Sequence, residues 1–536
     1  MRKKPHQIGD IAFEGYQRLE DLATAYWYSE VLFASLELNI FGLLAERPAT
    51  AEELSAKTGY DADGLLRLLD ALVVLGLLVE YEGEFANGPL AAKRLVPGTP
   101  DYLGDFLLYR RYFAPHWQRL AARVRDGARA NERRVDESAE KYRERTFAYV
   151  KALDLQANLK AAEAVDCIRD FFSSPPGLVL DAGGGAGAWC RALRKEWPDV
   201  RTVLLDLPET ISAAHRLYPD PETWAGIEAV AGSLLDPCIA GGRFDLIVAS
   251  NVVHAYGRRE AAAILENLAA CLAPEGTLLV HDYLADAHQS DPVKGALYDL
   301  HMLLNTYNGR VYKLEEMVEL LEGAGLNAVK FLHLESDTSI FLAKHGAAGE
   351  KGRVSSPEML PLLAKRAGFS FARVIDTREI AVESWVRLKC RFGCGRYGSS
   401  LQCPPYALDE GKMRDVISGY RWALLVQGEP PSTLFHERLL ALERSFFLEG
   451  YSEALAFGAG PCPICPSCPE DGRCRFPEKA RPSLEACGVD VYETARRAGL
   501  PLNPVSHRQG YVKYVGLVLF GRKRNADSVH PGRFDT

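Results

Sequence analysis

No stretch of this 536-residue sequence approaches 18 consecutive apolar residues, so no membrane-spanning helix is expected. The basic start Met1-Arg-Lys-Lys-Pro-His-Gln7 is not followed by an apolar segment of the kind a secretory leader carries. A cytoplasmic location is therefore expected, with no membrane partner. Positive charge is not in excess: 63 Lys and Arg face 71 Asp and Glu, for a net charge of −8, which speaks against nucleic acid as a partner. No internal repeat is present. What the chain does have is cysteine in one place. Of its 12 cysteines, eight crowd the C-terminal part: Cys390, Cys394 and Cys403, then Cys462, Cys465, Cys468 and Cys474, then Cys487. In a reducing compartment such a crowd points to metal rather than to disulfides.

A chain of this length exceeds what one hydrophobic core serves. Residues 1–110 read as helical. Phe33–Ala45 is apolar at helical spacing, Thr50-Ala-Glu-Glu53 matches a capping box, and Leu65–Leu78 continues the helical period. Leu78–Phe85 reads as a small hairpin wing, so a winged-helix-like unit is expected. Its recognition-type helix, Asp61–Val74, carries few cations, which favours a dimerisation role over DNA binding. Residues 111–345 read as connecting helices, including the solvated run Arg123–Arg145, followed by alternating strands and helices. The apolar strands at Gly177–Asp181, Thr202–Asp206, Phe244–Ser250 and Gly276–Val280 imply a parallel sheet covered on both faces. Residues 346–357 read as a linker, and 358–536 as a cysteine-rich domain. The fold class expected is thus α/β: a helical winged-helix-like N-terminal domain, a Rossmann-like domain, and a cysteine-rich α/β domain of iron–sulfur type.

Leu178-Val-Leu-Asp181-Ala-Gly183-Gly-Gly185-Ala-Gly187 is a strand running into a glycine loop and then a helix. The glycines let backbone approach a ligand, and the helix start offers free N–H groups. Glycine at alternate positions after an acid differs from the dinucleotide pattern and suits a sulfonium ligand with an amino-acid tail. Asp206 ends the second strand, placed for a ribose diol, and Gly232–Asp236 ends the third, where an adenine would lie. The segment from about 20 to 345 resembles the class I, S-adenosylmethionine-dependent small-molecule O-methyltransferases, through Ala49–Leu78, Leu178–Gly187, Gly232–Asp236 and Asn251–Gly276. The resemblance implies a homodimer, a small-molecule acceptor, and contacts from Gly183, Asp206 and Ser233-Leu234 to the cofactor's tail, ribose and adenine. Asp181, Gly185, Gly187, Leu207 and Ser250 are counted with them as cofactor-contacting residues.

Methyl transfer from sulfonium to oxygen needs a positioned, deprotonated acceptor. A histidine, with a free pKa of about 6.5, suits that task. His254 lies just past the fourth strand, where the family carries its general base in a His-Asp-Trp pattern. Here Ala255 and Tyr256 follow, so the usual Asp is missing, and Asp282, beyond the fifth strand, could supply the orienting carboxylate. His301 and Asn305, at i and i+4 of one expected helix, are the candidate substrate contacts.

In the C-terminal domain, iron–sulfur, zinc and disulfide readings compete. Cys462-x2-Cys465-x2-Cys468 is the spacing that wraps a cubane, with Cys403-Pro404 or Cys474 as fourth ligand, so one or two [4Fe–4S] clusters are expected, with zinc as the alternative. Cys390, Cys394 and Cys403 form a second group that could leave one iron open, and Cys487 is the weakest ligand. Residues 358–536 resemble a family of predicted metal-binding prokaryotic proteins through Cys390–Pro405, Cys462–Cys474 and Arg481–Asp490. Cys167, Cys190, Cys238 and Cys271 are expected as buried small apolar residues. Three functions follow. The first is an O-methyltransferase whose cluster domain binds or reduces the acceptor, with an electron donor such as a ferredoxin. The second is a methyltransferase for a thiol, metal-bound or tetrapyrrole acceptor docked at an open iron. The third is a redox or metal sensor without catalysis.

Overall fold

The computed structural model describes residues 16–127, 138–236, 243–285, 293–334, 336, 338–346, 359–429, 432–469, 471–500, 502 and 513–522. Cys238, most of the expected linker at 346–357, and part of the Arg123–Arg145 run lie outside them. The chain divides into two compact units: Met1–Ala328 with Leu332–Gly352, and Arg353–Thr536 with Val329–Phe331.

In the first unit Thr50 caps the helix Ala51–Thr58. Its hydroxyl accepts from the Glu53 N–H, and the Glu53 carboxylate accepts from the Thr50 N–H, the reciprocal pairing of a capping box. The next helix, Ala62–Val74, buries Leu65, Leu69 and Leu72 on one stripe, as its spacing demands. Its one basic residue, Arg67, is held by Asp63 on the same helix. Strands β1 (Leu78–Tyr81) and β2 (Glu84–Asn87) form the wing. The long helix Ala139–Ile168 then runs against the helices Ala188–Glu196 and Pro208–Leu217.

Seven strands follow: β3 (Leu178–Ala182), β4 (Arg201–Asp206), β5 (Ile227–Ala231), β6 (Phe244–Ser250), β7 (Leu272–Asp282), β8 (Leu326–His333) and β9 (Ser339–His345). They lie in the order β5-β4-β3-β6-β7-β9-β8. β5 to β7 pair in parallel, and β9 runs antiparallel to β7. The central strands read as continuous apolar runs because helices cover both faces: four residues in succession are buried in each of β4 and β6. β3, β4 and β6 end side by side at one sheet edge. That edge collects Asp181, Asp206, Ser250 and the residues that follow them. Cys190 and Cys271 are buried as expected, whereas Cys167 is exposed on the long helix, where helical rotation turns it away from the sheet.

The second unit is built on an antiparallel sheet, β10 (Phe371–Asp376), β11 (Tyr420–Gly428), β12 (Leu455–Phe457) and β13 (Tyr514–Arg522), in the order β10-β11-β13-β12. Ile375, Met413, Leu425, Leu484 and Leu517 are among the buried residues of its core. Among the described residues no helix is long and apolar enough to cross a membrane.

Candidate active site

Beyond β3 the backbone takes three left-handed turns, at Gly183 (φ 72°), Gly185 (φ 60°) and Gly187 (φ 82°). At Gly183 a Cβ would stand 2.6 Å from Val252 Cγ2 and 3.3 Å from Leu234 Cδ1, so the loop after β6, the turn after β5 and the glycine loop close on one cradle. Asp206 ties this cradle to β4. Its Oδ2 accepts from the Gly185 N–H (2.9 Å) and its Oδ1 from the Leu207 N–H (2.7 Å). Burial pushes the Asp206 carboxyl up, and these amides work against that shift. Asp181 is fully buried. Burial raises its carboxyl to about 7, and its Oδ1 has no hydrogen-bond partner. Of the remaining expected cofactor residues, Leu234 is buried against the cradle and Ser233 Oγ accepts from the Leu235 N–H at 3.2 Å. Ser250 Oγ is 2.8 Å from His281 Nδ1.

His254 sits in a 3-10 turn (Val253–Ala255) directly after β6, with 6% of its surface exposed. Its Nδ1 is hydrogen-bonded to Asp282 Oδ1, and its backbone N–H donates to Asp282 Oδ2 at 3.1 Å. Asp282 Oδ1 also accepts from the Tyr283 N–H (2.8 Å). An ionised carboxylate only accepts, so Nδ1 carries the proton and Nε2 is left with its lone pair. That Nε2 lies 3.4 Å from the Tyr298 hydroxyl. Asp282 is the last residue of β7 itself and not a residue beyond it. Alternation along the strand sends its neighbour His281 to the other face. There His281 bridges Ser250 and Thr338 (2.8 Å each), and burial lowers its imidazole to about 3, so it stays neutral.

His301 and Asn305 do share a face of the helix Val293–Asn305. Asn305 Nδ2 donates to His301 Nδ1 (3.0 Å), and Asn305 Oδ1 is 2.5 Å from His116 Nδ1. Around His301 stand Phe113, edge-on at 4.7 Å, Tyr298 stacked at 5.5 Å and Trp117 stacked at 6.3 Å. Tyr298 also packs on Tyr283 at 4.3 Å and on His254 at 5.2 Å. Nε2 of His254 therefore opens onto a wall of flat rings. Burial, and after it the charge of Arg110, lowers His301 to about 4. Phe113, His116, Trp117, Tyr283 and Tyr298 were not among the residues the sequence singled out for the site. The one signal for the first three was a dense aromatic run, Tyr109–Trp117, inside a segment that otherwise reads as connecting helix.

In the second unit, Cys390 lies in the last turn of the helix Ser384–Gly393 and Cys394 is its C-cap. Cys403 follows on a turn, and Cys462, Cys465, Cys468 and Cys474 lie on the loop after β12. All carry free thiols. Burial raises the Cys403 thiol, and Cys394, Cys390 and, further down, Cys462 add to it. Burial likewise raises Cys462, and Cys468, Cys474 and Cys465 add to it. The two sequence groups thus lie within each other's electrostatic reach. Leu401 N–H also donates to Cys468 Sγ at 3.4 Å. Cys487 is different. It packs in the apolar core, where burial pushes its thiol up to about 12, and a thiol held protonated among hydrocarbons is a poor donor to metal. Glu485 was missed in the sequence: its buried Oε2 has no hydrogen-bond partner, and its charge helps raise Cys390.

Comparison with solved structures places the first unit among the Rossmann-like methyltransferases. Human N-acetylserotonin methyltransferase, solved with S-adenosylmethionine, covers 63% of this chain over 100% of its own, at 26% identity and a TM-score of 0.55. The chain belongs to the S-adenosylmethionine-dependent O-methyltransferases. It is 31% identical over 328 residues to the 3-hydroxy-5-methyl-1-naphthoate 3-O-methyltransferase of Streptomyces sahachiroi, spanning 59% of this chain and 91% of that one. It is 30% identical to the tetracenomycin polyketide synthesis 8-O-methyl transferase of Streptomyces glaucescens, spanning 58% and 91%. The O-methyltransferase domain family matches residues 117–327, the O-methyltransferase dimerisation domain residues 20–97, and a predicted metal-binding protein family residues 373–520.

The residues present fit the cofactor of this family. The Gly183 cradle admits close approach, and the unsatisfied Asp181 Oδ1 offers a buried acceptor to a ligand ammonium. Seven of the second unit's thiols, all but that of Cys487, fit a metal by their chemistry. Among the described residues, however, no three His, Cys, Asp or Glu side chains are gathered closely enough to hold one between them.

Proposed function

We propose that this enzyme methylates a hydroxyl on a planar aromatic small molecule, with His254 as general base and Asp282 as the residue that fixes its tautomer. The observation that carries this reading is the buried His254–Asp282 pair, whose remaining nitrogen opens onto the rings of Tyr298 and Tyr283. When bound, S-adenosylmethionine supplies an electrophilic methyl group on sulfonium sulfur. Tyr298, Phe113 and Trp117 hold the acceptor ring flat. His254 Nε2 would take the hydroxyl proton, leaving the oxygen to displace the sulfonium sulfur from the methyl carbon. Asp282 stabilises the imidazolium that results. The glycine cradle, Asp181 and Asp206 would hold the cofactor's tail and ribose, and Leu234 would face its adenine. The printed activities of two relatives, on a naphthoate and on a tetracenomycin polyketide, support a fused-ring acceptor.

The dimerisation domain supports a homodimer. For the cysteine unit, the spacing of Cys462, Cys465 and Cys468 favours a [4Fe–4S] cluster over zinc, and Cys474 lies near enough to Cys462 to be the fourth donor. Cys390, Cys394 and Cys403 are the donors for a second site. On this reading the cluster serves the acceptor, by binding it or by passing it electrons from an external donor such as a ferredoxin, two electrons and two protons turning a quinone-like group into the hydroxylated form.

The test is anaerobic purification of the full chain, iron and sulfide analysis, and incubation with methyl-labelled S-adenosylmethionine and a panel of hydroxyarenes. Labelled ethers and iron with equimolar sulfide are expected. Cofactor binding without transfer to any member of the panel contradicts the catalytic reading, and zinc without sulfide contradicts the cluster.

A further inference from the structure

From Ser384 to Leu408 the chain carries no Asp or Glu, yet it holds Arg387, Lys389, Arg391 and Arg396. In a protein of net charge −8 this is a local reversal of sign, and it spans Cys390, Cys394 and Cys403. Arg387 is half-buried and turns to Glu410 at 3.6 Å. Lys389, Arg391 and Arg396 are exposed and have no carboxylate partner among the described residues.

The helix Ser384–Gly393 sets two of these cations around an uncovered apolar stripe. Trp385, Leu388 and Phe392 follow one another at three and four residues, so they share one face of the helix. They are 42%, 51% and 79% exposed. Val386 is buried and Cys390, one turn on, is half-buried, so these two mark the inward side. Lys389 Nζ stands 4.5 Å from the Trp385 ring centroid, and Arg391 Cζ 5.4 Å from that of Phe392. Cys394, the C-cap, is exposed at the end of the same helix. An apolar centre with a charged rim is the anatomy of a protein interface, and an unpaired basic rim selects and steers an acidic partner.

We propose that this face docks a small acidic iron–sulfur protein of the ferredoxin class, which delivers electrons to the metal centre of the neighbouring thiols. The inference rests on the cluster reading given under the proposed function and adds the surface through which the cluster is served. At each docking the ferredoxin is oxidised by one electron and the cluster is reduced by one. Two dockings supply the two electrons that a quinone-like acceptor takes up with two protons from water. Trp385, Leu388 and Phe392 form the dry centre of the contact, and Lys389, Arg391 and Arg396 meet carboxylates of the ferredoxin. Redox encounters of this kind are small, burying less than about 1,200 Å², and dissociate readily.

The experiment titrates an acidic plant-type [2Fe–2S] ferredoxin, a basic cytochrome c and phosphatidylglycerol vesicles onto the full chain, with iron and sulfide measured on the same preparation. The ferredoxin alone is expected to bind, and its affinity falls about tenfold or more as salt rises from about 50 to about 300 mM. Lys389→Glu combined with Arg391→Glu weakens it about tenfold or more at low salt, whereas the same reversal at Lys57 and Arg67 of the first unit leaves it unchanged. Phe392→Ser weakens binding while keeping the salt dependence. Unchanged metal content and thermal unfolding show that the variants fold. No ferredoxin binding, an equal loss from the reversal at Lys57 and Arg67, or capture of vesicles through Lys389 and Arg391 in place of the ferredoxin overturns the inference. Ferredoxin binding by a chain without iron sustains the surface and contradicts only the cluster. A chain with iron and sulfide that leaves the ferredoxin unbound contradicts only the surface.

Discussion

Asp282 stands where the chain needs a carboxylate that does not follow His254 in sequence. The two residues are 28 positions apart, yet β6 and β7 are adjacent parallel strands, so their ends deliver both side chains to one point. Strand periodicity made the two edges legible, but the hydrogen bond between them depends on register, which one sequence does not display. His254→Ala should lower the turnover number by about a hundredfold or more with little change in S-adenosylmethionine affinity, since positioned bases contribute roughly 10²–10⁴. Asp282→Asn should lower it as well, because the amide no longer enforces the Nδ1–H tautomer. Quenched-flow or steady-state rates at saturating cofactor check both. Asp181 gives a prediction in pH. Burial raises its carboxyl from 3.8 to about 7, so below that pH it is neutral and offers a ligand ammonium little. Cofactor affinity should fall as pH drops through about 7, and binding near that pH should release a proton as the ammonium stabilises the ionised form. Calorimetry in two buffers of different ionisation enthalpy reads the release, which Asp181→Asn should abolish.

Among the elements, those governed by local rules were legible and those governed by contact at a distance were not. The capping box at Thr50 and Glu53, the helix stripe of Leu65, Leu69 and Leu72, and the wing at β1 and β2 all follow from spacing and turn chemistry alone. The segment Tyr109–Trp117 does not. It is helical by propensity, but its role comes from Phe113 and Trp117 packing on His301, nearly two hundred residues away. The helices Tyr16–Thr24 and Tyr26–Glu37 expose Tyr16 (81%), Leu19 (71%), Tyr26 (60%) and Trp27 (58%), four large apolar side chains close together in sequence. This band is the surface expected to pair two copies. Leu19→Asp combined with Trp27→Asp should give a monomer by light scattering while leaving the Thr50-capped helix intact. A variant that remains a dimer would place the interface elsewhere.

For the molecule as a whole, the two units divide the chemistry. The first carries the glycine cradle, the His254–Asp282 pair and the ring-lined pocket; the second carries the clustered thiols. Cysteine spacing marked the second unit's candidate donors in the sequence. It did not show that Cys487 belongs to the apolar core, nor that Leu401 N–H points at Cys468, because both depend on how β13 and the loops pack. Cys465→Ser should lower the iron content of the full chain by several-fold, and Cys487→Ser should leave the iron content near wild type while lowering thermal stability. Neither substitution touches the cradle around Gly183, so S-adenosylmethionine affinity should be unchanged in both. Metal analysis and calorimetry on the same preparations check all three statements.

On the proposed mechanism His254, held by Asp282, deprotonates an aromatic hydroxyl for methyl transfer. Its most direct test is single-turnover transfer of labelled methyl from S-adenosylmethionine to 1-hydroxy-2-naphthoate by the wild-type chain and by His254→Ala, at matched cofactor occupancy. Rapid transfer by the wild type, slowed about a hundredfold or more in the variant, is the predicted result. Equal rates in the two proteins would contradict it.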